Sequence, residues 1–320
     1  MELRKFMKKI GIIGSGSWAF ALSKILKKNL LFIKSRDKKK LKHNFDESKT
    51  IRIVEKFTAL NECKYIFFAI PSQSLRQNLI SLKKIKNFSK TEFIICCKGV
   101  EKKTNKLMSE VLCEYFPKNN FAILSGPNFS FEVIKGLPTA STLSSKKRDL
   151  CLEIANLIYQ EKFRTYFNTD IIGTQVGGAM KNVIAIACGL VIGKKLGNNA
   201  SAAIITRGLS EIIELGTKMG AKKNTFYGLS GIGDLNLSCS SLKSRNTKLG
   251  YYLGKNIPLD EVKKRGILTE GLYSCDSICS LGKKYNVELP ICNAVKKIIN
   301  GFDVEKIVYN LLSRPLQFEK

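Results

Sequence analysis

One lysine stands in the middle of an apolar, small-residue stretch, QVGGAMKNVIAIACGL (175–190). The chain holds 54 lysines and arginines, yet Lys181 is the only charge in this segment. On a helix, Val176, Met180, Val183, Ala187 and Leu190 form one apolar seam. Gly177, Gly178, Lys181, Ala185 and Cys188 form the adjacent face, small residues around one ammonium. Small residues admit a flat ligand close to the backbone. A lysine aimed at such a place loses hydration, which disfavours its charged form and suits it to exchanging a proton. A carbonyl reductase needs that group: hydride goes to carbon while a proton goes to oxygen. The sole histidine, His43, lies in a basic stretch after the second strand, far from this segment in sequence. Taken alone, Lys181 fits equally well a lysine snorkelling from a helix edge.

Other chemistry-bearing residues follow. In TFYGLSGIGDL, Asp234 is set among Gly228, Gly231 and Gly233, and a carboxylate there could hold an ammonium in position. Ser244, Arg245 and Asn246 offer a hydroxyl, a forked cation and an amide in a row, a set that suits a phosphate. The same three residues also read as a helix N-cap followed by a surface arginine. Lys98, in IICCKGVE, falls just past the end of an expected strand, where ligands bind in open α/β sheets. Near the N-terminus, IGIIGSGSWAFAL gives Gly14-x-Gly16-x-x-Ala19 after a strand and opening a helix. Gly14 permits the tight turn, Gly16 lets backbone approach a pyrophosphate, and Ala19 fits the small third position. The next strand ends Lys34-Ser35-Arg36-Asp37. Arg36 beside a hydroxyl suits a 2'-phosphate better than a bare ribose, so the cofactor reading is NAD(P), leaning to NADP. Asp37 keeps NAD open.

These residues need elements to position them. KKIGIIG, LLFIKS, KYIFFAIP, EFIICCKG, NFAILSGP, PTASTLSS and FRTYFN read as strands, and SWAFALSKILKK and RDLCLEIANLIYQ as helices. Continuous apolar strands alternating with helices predict a doubly wound, Rossmann-like parallel α/β sheet. After about residue 170 the strand signals stop. Residues 170–196, 200–220, 242–254, 272–285, 291–300 and 303–313 all read as helices. The expectation is an NAD(P)-binding domain over 1–169 and an all-α substrate and catalytic domain over 170–320.

Composition narrows the class. At 320 residues with 44% hydrophobic content, the chain is long enough for about two cores. The N-terminus shows no signal-peptide pattern. The longest apolar run, Val183 to Gly193, falls short of the ~20 residues a membrane span needs. No transmembrane segment and a cytoplasmic location are expected. Ten scattered cysteines without a CxxC and a single histidine argue for reduced core thiols and no metal site. The net charge of +28 could serve a nucleic-acid partner, but the lysines are spread along the chain. The densest run, DKKKLKHN, lacks aromatics to stack on bases. No specific nucleic-acid partner is expected; the charge would steer a small anionic substrate.

Together these stretches resemble the bacterial type of the NAD(P)-dependent sn-glycerol-3-phosphate dehydrogenase family. GSGSWAFAL, FFAIPSQSLR, CCKGVE, LSGPNFSFEVIKGLPTA, GGAMKNVIAIACGL, AAIITRGLSEI, TFYGLSGIGDL, SRNTKLG and TEGLYS match in order over most of the chain. The resemblance implies reversible reduction of dihydroxyacetone phosphate to sn-glycerol 3-phosphate by NAD(P)H, supplying glycerol phosphate for phospholipid synthesis, in a homodimer. By this resemblance Lys181 is the catalytic proton donor and acceptor, with Asn182 and Asp234 orienting it and the substrate. Lys98, Gly126, Asn128, Lys181, Asp234, Ser244, Arg245 and Asn246 match substrate contacts. Gly14, Gly16, Ser17, Trp18, Arg36, Lys98, Ser130, Arg245, Leu268 and Glu270 match cofactor contacts. The chain departs from the family pattern at Ala19, Phe20, Asn128, Ser130, Gln175 and Ser238, and is short between Asp37 and Leu60. The competing readings are a dehydrogenase of the same plan acting on a hydroxy acid or hydroxyacyl thioester, and a non-catalytic nucleotide- or nucleic-acid-binding protein. The first would want a histidine, and the intact lysine–aspartate pair counts against the second.

Overall fold

The computed structural model describes residues 7–36, 48–85, 88–267 and 269–313. His43, Asp37 and Leu268 lie outside the described residues. The chain divides into two compact units, one of residues 1–98 and 106–175, the other of residues 99–105 and 176–320.

The first unit is built on an eight-stranded sheet. Its elements are β1 (Lys9–Ile13), α1 (Ser17–Ile25), β2 (Leu30–Lys34), β3 (Ile51–Val54), β4 (Tyr65–Phe68), α2 (Leu75–Lys83), β5 (Glu92–Ile95), α3 (Met108–Tyr115), β6 (Phe121–Ser125), α4 (Ser130–Ile134), β7 (Thr139–Ser144), α5 (Arg148–Ile158) and β8 (Phe163–Asn168). The spatial order is β3-β2-β1-β4-β5-β6-β7-β8. The order in which successive strands are added reverses between β1 and β4, the switch point where such sheets bind ligands. Strands alternate their burial between two cores. Ile12, Tyr65, Phe67, Ile94 and Leu124 face one, with α1 and α5. Ile13, Ile66, Phe68, Phe93 and Ile95 face the other, with α2 and α3. Both faces are covered, so the strands read as unbroken apolar runs.

Two features of the sheet differ from the sequence expectation. β3 is an edge strand of four residues whose run IRIV is interrupted by the exposed Arg52, a charge that edges tolerate and that hides the strand signal. β6 and β7 pair antiparallel, Ser125 opposite Thr142, while the pairs β1 to β6 and β7 to β8 are parallel. The cause is local. The five-residue α4 spans ~8 Å, too little to carry the chain back across the sheet, so β7 enters from the carboxyl edge of β6.

The second unit is helical. α6 (Ile171–Gly193) starts in the first unit and continues into the second. It is followed by α7 (Gly197–Lys218), α8 (Asp234–Cys239), α9 (Arg245–Gly254), α10 (Leu259–Lys264), α11 (Glu270–Lys284), α12 (Pro290–Ile299) and α13 (Val304–Leu312). α8 and α10 are short helices that carry no periodic sequence signal. α6 is longer than its uninterrupted apolar run. Its length and hydropathy would suffice to cross a membrane, but 94% of its apolar window is buried inside the protein, as in a core helix.

α6 is buried on every side from Gly173 to Val191, so its small residues do not line an open face. A Cβ on Gly177 would sit 2.5 Å from the Ser230 carbonyl oxygen. One on Gly189 would sit 2.0 Å from that of Thr247, and one on Gly250 1.9 Å from that of Ile186. The glycines thus let α9 and the wide turn at Leu229–Gly233 press onto α6, rather than admitting a flat ligand. All ten cysteines are free thiols, nine of them buried.

Candidate active site

Lys181 projects from the middle of α6 and is 8% exposed. Its ammonium lies 2.8 Å from Asp234 Oδ1 and donates to Ser238 Oγ at 2.6 Å. Asp234 is 1% exposed and Ser238 2%. The two sit four residues apart on α8, so both fall on the face turned to Lys181. A buried charge persists only when paired and hydrogen-bonded, and this one has both. Ser238 was not among the sequence candidates. The DLNLS spacing carries its signal, but only once residues 234–239 are known to be helical.

The neighbouring amides brace this cluster. Asn182 donates to the Gly178 carbonyl at 3.2 Å and accepts from Asn246 Nδ2 at 2.9 Å. Asn246 Oδ1 accepts from the Gly271 backbone at the start of α11, 3.0 Å away. Thr247 Oγ1 donates to the Ser238 carbonyl at 2.5 Å. Ser244 is the N-cap of α9, its hydroxyl accepting from the Thr247 backbone at 3.4 Å. Within the chain the three make different contacts: the hydroxyl of Ser244 caps a helix, the amide of Asn246 ties α6 to α11, and Arg245 is the exposed member, at the first turn of α9. Glu270 opens α11, whose N-cap is Thr269.

In the first unit the remaining candidates gather at the carboxyl ends of the parallel strands. Gly14 ends β1 with φ +133°, and a Cβ there would sit 2.2 Å from the Ala69 carbonyl oxygen, so only glycine fits. A Cβ on Gly16 would meet nothing within 4 Å, leaving the backbone open to a ligand. α1 starts at Ser17 with no side-chain cap and no acid in its first turn. That leaves a positive helix end for an anion. Trp18 is half-buried and packs against the core that α1 faces. A dinucleotide pyrophosphate fits this open glycine turn and uncapped helix end. At the end of β2, Arg36 is exposed, and beside it Lys34 is buried, its ammonium 4.6 Å from the Phe57 ring centroid. Burial pulls Lys34 below the usual lysine range, against the charge of Glu55. Lys98, past β5, donates to the Gly126 carbonyl at 2.9 Å and to Asn128 Oδ1 at 3.3 Å. Ser130 opens α4 and is half-buried. Gln175 bonds the backbone and hydroxyl of Ser109, anchoring the first turn of α3. Among the described residues no group of three metal-ligating side chains converges.

Comparison with known proteins decides the family. Residues 9–151 match the model of the NAD-dependent glycerol-3-phosphate dehydrogenase N-terminus, and residues 170–309 that of its C-terminus. The chain belongs to the NAD-dependent glycerol-3-phosphate dehydrogenase family. A glycerol-3-phosphate dehydrogenase [NAD(P)+] of Zymomonas mobilis is 39% identical, covering 97% of this chain and 94% of that relative. One from Fusobacterium nucleatum is 40% identical, covering 92% of each chain. The crystal structure of glycerol-3-phosphate dehydrogenase from Coxiella burnetii superposes with a TM-score of 0.91 at 32% identity, covering 97% of this chain and all of that one. Membership makes the chain an NAD(P)-dependent oxidoreductase of this family, with the glycine turn and the lysine cluster in the segments the two models match.

Proposed function

We infer that this chain reduces dihydroxyacetone phosphate to sn-glycerol 3-phosphate with NAD(P)H, reversibly. The observation that carries the reading is the buried Lys181–Asp234–Ser238 cluster in a chain of this family. A bound nicotinamide supplies hydride to the carbonyl carbon. Lys181 moves the proton: from Nζ to the carbonyl oxygen in reduction, and back in oxidation. Asp234 and Ser238 fix where Nζ points, and Asn182, held by Asn246, fixes the turn of α6 that carries it. Arg245 supplies the exposed cation for the substrate phosphate, with Ser244 and Asn246 framing it. Lys98, Gly126 and Asn128 are the substrate contacts of the first unit.

Gly14, Gly16, Ser17 and Trp18 receive the pyrophosphate. Arg36, with Lys34 beside it, favours a 2'-phosphate and hence NADP. Lys98, Ser130, Arg245, Leu268 and Glu270 complete the proposed cofactor contacts. Residues 1–169 are then the cofactor domain and 170–320 the substrate domain. The reading extends to a cytoplasmic homodimer that supplies glycerol phosphate to phospholipid synthesis.

The test follows absorbance at 340 nm with dihydroxyacetone phosphate and either NADPH or NADH, for wild type and Lys181→Ala. Wild type should turn over, and the variant should lose at least ~100-fold in kcat while still binding cofactor by fluorescence. Absence of wild-type turnover with both cofactors, despite cofactor binding, would sink the substrate assignment.

A further inference from the structure

Lys98 is held by an amide, and an amide has two unlike ends. Asn128 presents Oδ1 to the Lys98 ammonium at 3.3 Å. Its other end, Nδ2, donates to Ser141 Oγ at 2.6 Å. Ser141 lies on β7 and is fully buried. The same strand presses on the second acceptor of Lys98: a Cβ on Gly126, at φ +127°, would sit 3.1 Å from Ser141 Cα and 3.3 Å from the Thr142 nitrogen. One short stretch of β7 thus backs two groups that hold the ammonium, the Gly126 carbonyl and the Asn128 amide.

Lys98, which can only donate, selects the carbonyl end of the amide, and the Ser141 hydroxyl holds the other end in place. With that hydroxyl accepting from Nδ2, the carbonyl end stays turned to Lys98, an acceptor against a cation. Without that anchor the amide plane is free to turn, and its carbonyl no longer holds a fixed position against the ammonium. We propose that Ser141 is a positioning residue for the reaction, setting the Asn128 amide and through it the Lys98 ammonium. It touches no substrate and acts only through Asn128. The proposal rests on the reading of Lys98 as a substrate contact.

A structural staple would behave differently, and β7 supplies the control. Ser144 is also fully buried on this strand, three residues beyond Ser141, and its hydroxyl pairs with Thr174 Oγ1 at 2.6 Å. Steady-state kinetics and thermal melting would be measured for wild type, Ser141→Ala, Ser144→Ala and Lys98→Met. Losing one oriented hydrogen bond is expected to raise KM for dihydroxyacetone phosphate about fivefold in Ser141→Ala, with kcat within about twofold. Ser144→Ala should melt as low as Ser141→Ala, or lower, and keep the wild-type KM. In an Asn128→Ala background, where no amide is left for Ser141 to hold, Ser141→Ala should add no further loss. The proposal is overturned if KM in Ser141→Ala stays within about twofold of wild type, or if Ser144→Ala raises it as much. Lys98→Met separates the two failures. An unchanged KM there removes the reading of Lys98 and the proposal with it; a raised KM there, with none in Ser141→Ala, removes the proposal alone.

Discussion

At the residue scale the decisive fact is that Lys181 is buried and paired. The sequence shows a lone ammonium among glycines and alanines, and this much is legible because a charge in an apolar helix needs a reason. The partner was legible as well, since a carboxylate framed by glycines is unusual. Ser238 was not, because its relation to Asp234 exists only on a helix that the glycine-rich TFYGLSGIGDL hides. Replacing Asp234 by Asn separates positioning from charge. The amide can still accept from Nζ, but the carboxylate charge is gone from a place that is 1% exposed. Breaking one partner of a buried pair typically costs ~3 kcal/mol of stability. Asp234→Asn is therefore expected to lower the urea midpoint and cut kcat at least ~30-fold, with cofactor affinity retained. Unchanged kcat in a destabilised variant would leave Asp234 a purely structural partner.

At the element scale, what the sequence could not show is why α6 is so rich in small residues. An open ligand face and a tight helix crossing use the same alphabet. The 2.0 Å and 1.9 Å clearances at Gly189 and Gly250 resolve it in favour of the crossing with α9. A second joint between helices hides a titrating group. Glu211, on α7, accepts from the backbone of Ile291 at 2.5 Å and of Cys292 at 3.2 Å, in the first turn of α12. Burial pushes its carboxyl from the ordinary 4.5 up to about 7, although the two backbone donors oppose the shift. The folded chain then holds this proton more tightly than the unfolded one. The contribution of Glu211 is fullest below about 4.5, falls as pH rises toward about 7, and is flat above it. The total swing is on the order of 3 kcal/mol. The difference in unfolding free energy between wild type and Glu211→Gln should therefore decline across that window. A difference independent of pH would show that Glu211 does not titrate there.

At the scale of the whole molecule, fold class was the most legible property. Apolar strands alternating with helices, then helices alone, leave few architectures, and a dinucleotide turn at the first βα junction marks one edge of the sheet as the ligand edge. The antiparallel β7 was not legible, because strand periodicity carries no direction and only the shortness of α4 sets it. The charge is the remaining global feature: 54 basic against 26 acidic residues, giving +28. Among the described residues, the buried charged side chains are Lys34, Glu101, Asp170, Lys181, Glu211 and Asp234, three acids among them beyond the Lys181–Asp234 pair. Among the described residues the positive excess is therefore a property of the surface, where it acts as a field rather than as contacts. Such a field raises the encounter rate of a dianion and leaves a neutral molecule unaffected. Raising ionic strength from about 0.02 M to about 0.5 M should thus lower kcat/KM for dihydroxyacetone phosphate roughly tenfold. The same change should leave that for phosphate-free dihydroxyacetone nearly flat. Part of that loss will be local screening of Arg245, so Arg245→Gln is the reference. If the slope persists in that variant the surface as a whole steers the substrate; if it vanishes, one guanidinium accounts for the effect and the other charges serve only solubility.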